Sequence, residues 1–187
     1  MTDTNRLDAI LRQYQSSFAD KIYSEENDDH DVLIDVFSLL PVIKRENRQY
    51  WGRELGMCWQ LLVSQACRKL SSYKPALRIG ADEPCDFIVD NFAIDTKYRI
   101  GSGDSGTLKK FKFYGPLLKD QGLVPVFLIL REDNLTAAIT ACNAGGWQVN
   151  VGAQSFLFIK TLTGFDLERF LAHRKAVFPV SRKLPSA

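Results

Sequence analysis

Histidine is nearly absent from this chain, with only His30 and His173 among 187 residues. Two imidazoles so far apart give a His-rich zinc site or a Ser/His/Asp triad little to build on. Catalysis must therefore lean on carboxylates and lysines. Cysteine offers no framework either. Cys58, Cys67, Cys85 and Cys142 match neither a CxxC metal knuckle nor a dense disulfide scaffold, and reduced, mostly buried thiols are expected. No uncharged apolar run approaches the roughly 18 residues that a membrane span needs. The opening Met1-Thr2-Asp3-Thr4 lacks a basic region followed by an apolar one, so a cytoplasmic protein with no membrane partner is expected.

A strong net charge is also missing: 24 Lys and Arg against 22 Asp and Glu leave +2, which says little about a nucleic-acid partner. The distribution says more. Acids crowd into Glu25-Glu26-Asn27-Asp28-Asp29-His30-Asp31, whereas Lys97, Arg99, Lys109, Lys110 and Lys112 sit together in mid-chain. A local basic surface is compatible with this, as is a solvated helix face balanced by an acidic loop.

At 187 residues and 45% hydrophobic, the chain suffices for one domain, 1–187, with an N-terminal helical part (1–44), a core (45–175) and a tail (176–187). Leu7, Ile10, Leu11, Tyr14 and Phe18 recur at helical spacing over residues 5–23. A second helix over residues 31–40 is stopped by Pro41, and a long one follows over 45–70, with Trp51, Leu55, Cys58, Leu62 and Ala66 as its apolar stripe. Glu54 lies at the edge of that stripe and needs a partner, such as Arg53 or Arg68. Beyond Pro84 the pattern turns to β, with runs over 86–90 and 92–98 that read as a hairpin. A Gly-rich loop (101–106), a helix (107–121), a continuous apolar strand (124–130), a helix (134–144) capped by Gly145-Gly146, a strand (147–151) and two helices (155–162 and 165–174) complete the order. This predicts an α/β fold, a mixed sheet with helices on both faces.

In the hairpin Asp86 opens the first run, and Asp95 and Lys97 share one face of the second because side chains alternate along a strand. Two converging carboxylates repel unless a cation neutralises them, and oxygen ligands suit Mg²⁺. A lysine beside such an ion can polarise water, and the ion can stabilise charge on a phosphate undergoing attack.

The segment Glu83-Pro84-Cys85-Asp86 followed by Ile94-Asp95-Thr96-Lys97 resembles the PD-(D/E)xK nucleases, in which an Asp precedes a (D/E)xK tripeptide on a β-hairpin. Cys85 stands where the motif has proline directly before the Asp. The stretch from Trp51 to about Leu171, notably Asp95-Thr96-Lys97-Tyr98-Arg99, Leu130-Arg131-Glu132-Asp133-Asn134 and Ala144-Gly145-Gly146-Trp147, is similar to type II restriction endonucleases of the ApaLI-like group. The resemblance implies a restriction-endonuclease-like core. It also implies Mg²⁺ held by Asp86, Asp95 and the Thr96 carbonyl, catalysis by Asp86, Asp95 and Lys97 with Glu54 completing the site, double-stranded DNA as substrate and a homodimer with one centre per strand.

Other features fit this reading or compete with it. Gly101 to Gly106 matches GxGxxG, but the strand before it ends polar and charged, unlike a dinucleotide-binding unit, so a loop that orders on DNA, with Ser102 among its contacts, is preferred. Lys109, Lys110 and Lys112, interleaved with Phe111, Phe113 and Tyr114, are read as phosphate contacts with the aromatics packed inward, beside the alternative of a plain solvated helix. Arg99 and Arg131 suit phosphates or bases. Trp147 is read as core, and Gln60 as able to hydrogen-bond near the site. Besides a restriction endonuclease, a structure-specific junction or repair nuclease and a non-catalytic DNA-binding module stay open. Branched substrates would discriminate the former and indifference to Mg²⁺ the latter.

Overall fold

The computed structural model describes Gln15, residues 31–101 and residues 104–180. The helix expected over 5–23, the acids before Asp31, Ser102 and the last seven residues of the tail lie outside the described residues.

Asp31 starts the described core by N-capping α1 (Val32–Phe37), its Oδ1 accepting from Leu33 N at 3.0 Å and Ile34 N at 3.1 Å. The helix expected over 31–40 ends earlier, at Phe37, where Ser38 turns left-handed at φ 48°; Pro41 does not stop it but opens α2 (Pro41–Glu46), occupying a first-turn position where a missing N–H costs nothing. Asn47 then caps α3 (Arg48–Cys67), accepting from Tyr50 N at 3.0 Å, so the expected long helix begins three residues later and ends earlier. Its core face is Leu55, Trp59, Val63 and Cys67, with Trp51, Cys58, Leu62 and Ala66 only partly buried beside them. The stripe read from the sequence is thus rotated by about one residue. Trp59, wholly buried, donates its indole N–H to Leu128 O at 3.0 Å and ties the helix to the sheet.

The sheet has five strands in chain order: β1 (Lys74–Pro75), β2 (Phe87–Val89), β3 (Phe92–Lys97), β4 (Val124–Ile129) and β5 (Gln148–Val151). β1–β2 and β2–β3 pair antiparallel; β3–β4 and β4–β5 pair parallel. The expected hairpin is present, turning at Asp90-Asn91 with Asp90 at φ 52°. β1 was not foreseen; a two-residue strand containing proline is tolerated only at an edge. Parallel strands need crossovers, supplied by α4 (Ser105–Asp120) and α5 (Thr136–Ala144), which pack on one face around Phe111, Phe127 and Trp147. α1, α3, α6 (Ala153–Thr163) and α7 (Leu167–Ala172) cover the other face. α4 and α5 approach so closely that a Cβ on Gly115 would lie 1.9 Å from Gly145 O, and Gly146 at φ 72° ends α5. Trp147 belongs to the core as read, stacked on Phe127 at 4.1 Å.

The cysteines are free thiols. Burial pushes Cys67 and Cys142 up to about 12 and Cys85 to about 11, so all three hold their protons. Among the described residues, no helix is long and apolar enough to cross a membrane.

Candidate active site at the end of the hairpin

β2 stops at Phe87 while β3 continues to Lys97, so the last residues of β3 have no strand partner on that side. Asp86 fills the gap. Its backbone N–H donates to Ile94 O at 2.8 Å, and its side chain does what another strand residue would have done: Oδ2 accepts from Thr96 N at 2.7 Å and from Thr96 Oγ1 at 2.6 Å. Oδ1 accepts from Gln60 Nε2 at 2.8 Å, which anchors the carboxylate to α3. A carboxylate offers about four acceptor positions, so three donors leave Asp86 room for one more ligand.

Asp95 and Lys97 point to the α4–α5 face of the sheet, as their alternation with buried Ile94 and Thr96 requires. Lys97 Nζ pairs with Asp95 Oδ1 and stands 5.9 Å from the Phe127 ring centroid. Burial drives the Asp95 carboxyl up, the Lys97 ammonium pulls it back, and the neighbouring Asp86 charge pushes it up again; the outcome is a value of about 6. For Lys97, burial works against the charge, but the Asp95 and Asp86 carboxylates prevail and hold the ammonium above its ordinary range. Asp86 therefore lies within electrostatic reach of both, approaching round the edge of β3.

Thr96 contributes twice. Its amide and hydroxyl fix Asp86, and its carbonyl faces the same open edge. Leu130 N donates to Lys97 O at 3.0 Å on the β4 side, and consecutive strand residues present their N–H and C=O to opposite edges. Two carboxylates and one carbonyl on an open edge fit a cation that keeps several waters, as Mg²⁺ does. Among the described residues, no group of three or more His, Cys, Asp or Glu is placed to hold a metal ion, so a structural zinc site of that kind is not present there.

Glu54 is not brought to this constellation. It is exposed and pairs with Arg53 at 3.0 Å. Gln60, six positions on and on another face of α3, is the helix residue that reaches Asp86. The resemblance implies an acid on this helix; Gln60, beside buried Trp59 and read from the sequence as able to hydrogen-bond near the site, makes the contact instead.

The basic residues divide. Lys109, Lys110 and Lys112 are exposed on α4, whose N-cap Asp104 accepts from Thr107 N at 2.9 Å. Phe111 packs inward as expected, but Phe113 is 59% exposed, because a helix carrying three lysines in four positions cannot turn every interleaved aromatic to the sheet. Arg131, expected at the DNA, is buried. It bonds Asp133 at 2.7 Å and Asp31 at 3.1 Å, and Asp31 also accepts from Tyr98 Oη. Arg99 donates to Asp133 Oδ2 at 3.0 Å and to Asp133 O at 2.9 Å, and lies against Gly101. It also borders a hollow of about 460 Å³ lined by Arg48, Arg53, Gly52 and Gly101, a basic concavity that the sequence reading did not anticipate.

No protein-family model, curated protein or solved structure matches this chain.

Proposed function

We propose that the chain is a Mg²⁺-dependent endonuclease that hydrolyses phosphodiester bonds in double-stranded DNA, with a restriction-endonuclease-like core and the site specificity of a type II enzyme. The observation that carries this reading is the convergence of Asp86, Asp95 and Lys97 where β3 outruns β2, with the Asp95 carboxyl raised by burial and by the neighbouring Asp86 charge beyond what Lys97 offsets. The resemblance of the same segment to PD-(D/E)xK nucleases supports it.

Asp86, Asp95 and the Thr96 carbonyl would hold the ion. When bound, Mg²⁺ supplies positive charge against the negative charge that develops on an attacked phosphate and favours ionisation of a coordinated water. Lys97, kept protonated by two carboxylates, orients the attacking water by hydrogen bonding and meets charge on the phosphate oxygens. Gln60 and Thr96 keep Asp86 in one rotamer, which spares the site the cost of ordering it during reaction. Lys109, Lys110 and Lys112 engage backbone phosphates from α4, and the hollow of Arg48, Arg53 and Arg99 receives another from α3.

Purified protein incubated with plasmid and phage DNA, with Mg²⁺ or with EDTA, tests the proposal on one gel. Discrete Mg²⁺-dependent fragments are expected. Intact DNA in both conditions, on duplex and branched substrates alike, would withdraw it.

A further inference from the structure

Diametrically opposite its core face, where a solvated helix should be polar, α3 carries large apolar side chains. The core face runs through Leu55, Trp59, Val63 and Cys67. At about 100° per residue, Leu61 points away from the direction midway between Trp59 and Val63. It is 64% exposed, Met57 is 49% exposed and Tyr50 44%. Tyr50, Glu54, Met57, Leu61, Ser64 and Arg68 follow one another in steps of four and three, the spacing of a helix-pairing seam. A hollow of about 580 Å³, bordered by Glu54, Met57, Cys58, Leu61 and Arg68, runs along this flank.

The seam is complementary to its own reversal. Taking Leu61 as centre, Glu54 lies seven residues before it and Arg68 seven after, Met57 four before and Gln65 four after. A two-fold axis perpendicular to the helix at Leu61 sets each residue against its counterpart on the other side of the centre. Leu61 then meets the partner's Leu61, and Glu54 meets the partner's Arg68, twice over. A parallel pairing would set Glu54 against the partner's Glu54. Within one protomer Glu54 pairs with its neighbour Arg53, both well exposed, an interaction of little worth that costs little to redirect. Arg68 makes no ion pair among the described residues.

We infer that the outer face of α3 is the surface through which two copies of this chain pair, antiparallel about Leu61. The inference rests on the endonuclease reading only for its purpose, two centres for two strands. Gln60, adjacent to Leu61, reaches Asp86, so each centre hangs from the helix that makes the contact.

Sedimentation velocity of the intact chain at micromolar concentration, without DNA or metal, should show a dimer. Leu61→Glu buries two like charges at the axis and should weaken self-association about a hundredfold, with circular dichroism unchanged. Glu54→Arg and Arg68→Glu should each weaken it about tenfold, and the two together should restore it. A monomeric wild type, or a combined variant no better than either single one, overturns the inference. DNA cleavage by the same samples separates the two questions. A wild-type dimer that cuts nothing removes the nuclease reading and leaves the interface, whereas a wild-type monomer that cuts removes the interface alone.

Discussion

Gln60 Nε2 donates to Asp86 Oδ1 at 2.8 Å, joining the middle of α3 to the head of the hairpin across 26 residues of chain. The hydrogen bond gives the helix behind the sheet a direct hold on the proposed centre. Asp86 sits at the end of a three-residue strand, where nothing in the local backbone fixes its side chain. The carboxylate is fixed instead by three donors, two from Thr96 and one from Gln60.

Gln60→Ala should therefore act on the site more than on the fold. Losing one part-buried hydrogen bond costs about 1 kcal/mol of stability. Residues that orient a metal ligand typically carry a tenfold to hundredfold effect on metal affinity or activity. The expected result is a higher Mg²⁺ requirement for cleavage with a Tm only slightly lowered. An unchanged Mg²⁺ dependence would show that Asp86 needs no support from α3.

How far the site was readable from the sequence follows from the range of the interactions involved. The hairpin and the common face of Asp95 and Lys97 come from two-residue alternation within one short segment, and the structure keeps them. The pairing of Arg131 with Asp31 does not: Asp31 lies 100 residues away, and only the assembled sheet brings it within 3.1 Å. The core face of α3 was misjudged because apolar residues occur almost all round it, with Met57 and Leu61 on its solvent side, so periodicity alone selects no single stripe. β1 has no intrinsic signal, since Lys74 and Pro75 become a strand only by lying beside Phe87 and Ile88.

The buried arginine leads to a prediction about stability. Arg131 has a side chain only 5% exposed and bonds both Asp31 and Asp133, so removing it leaves the mostly buried Asp31 carboxylate without its cation and Asp133 with Arg99 alone. Arg131→Met should cost about 3–5 kcal/mol, read as a large fall in the denaturation midpoint. Loss of DNA affinity without loss of stability would instead place the guanidinium at the DNA.

The exposed lysines should behave in the opposite way. Lys109→Ala, Lys110→Ala and Lys112→Ala remove charges from the solvent side of α4 and should leave Tm nearly unchanged. Each should weaken binding to duplexes of any sequence and lower the slope of log K against log salt by about 0.9 for each phosphate that is no longer neutralised. Binding measured across a salt series decides this, because a plain solvated helix would give slopes equal to that of the wild type.

Lys97→Ala addresses the chemistry most directly. Removing the ammonium leaves Asp95 buried against Asp86 without its counter-charge, so cleavage should fall by at least about a hundredfold while DNA binding persists. A variant cutting at the wild-type rate would remove the proposed role of this residue.

The raised carboxyl of Asp95 sets a pH dependence whose sign runs against that of most acids. Its folded value, about 6, lies above the ordinary 3.8, so the folded state holds this proton more tightly than the unfolded chain. The stability from that proton is complete below about pH 4 and is lost as pH rises through 6, a change of about 3 kcal/mol at most. Metal-free protein should therefore become less stable across this window, counter to the gain that hydrogen-bonded carboxylates such as Asp133 contribute, because Arg131 holds Asp133 below its usual range despite burial. Mg²⁺ binding must displace the Asp95 proton at pH 5 but not at pH 7.5. The Mg²⁺-induced rise in Tm should accordingly be large at pH 7.5 and small at pH 5, and with Asp95→Asn it should be weak at both. Equal shifts at the two pH values in the wild type would mean that Asp95 does not hold the ion.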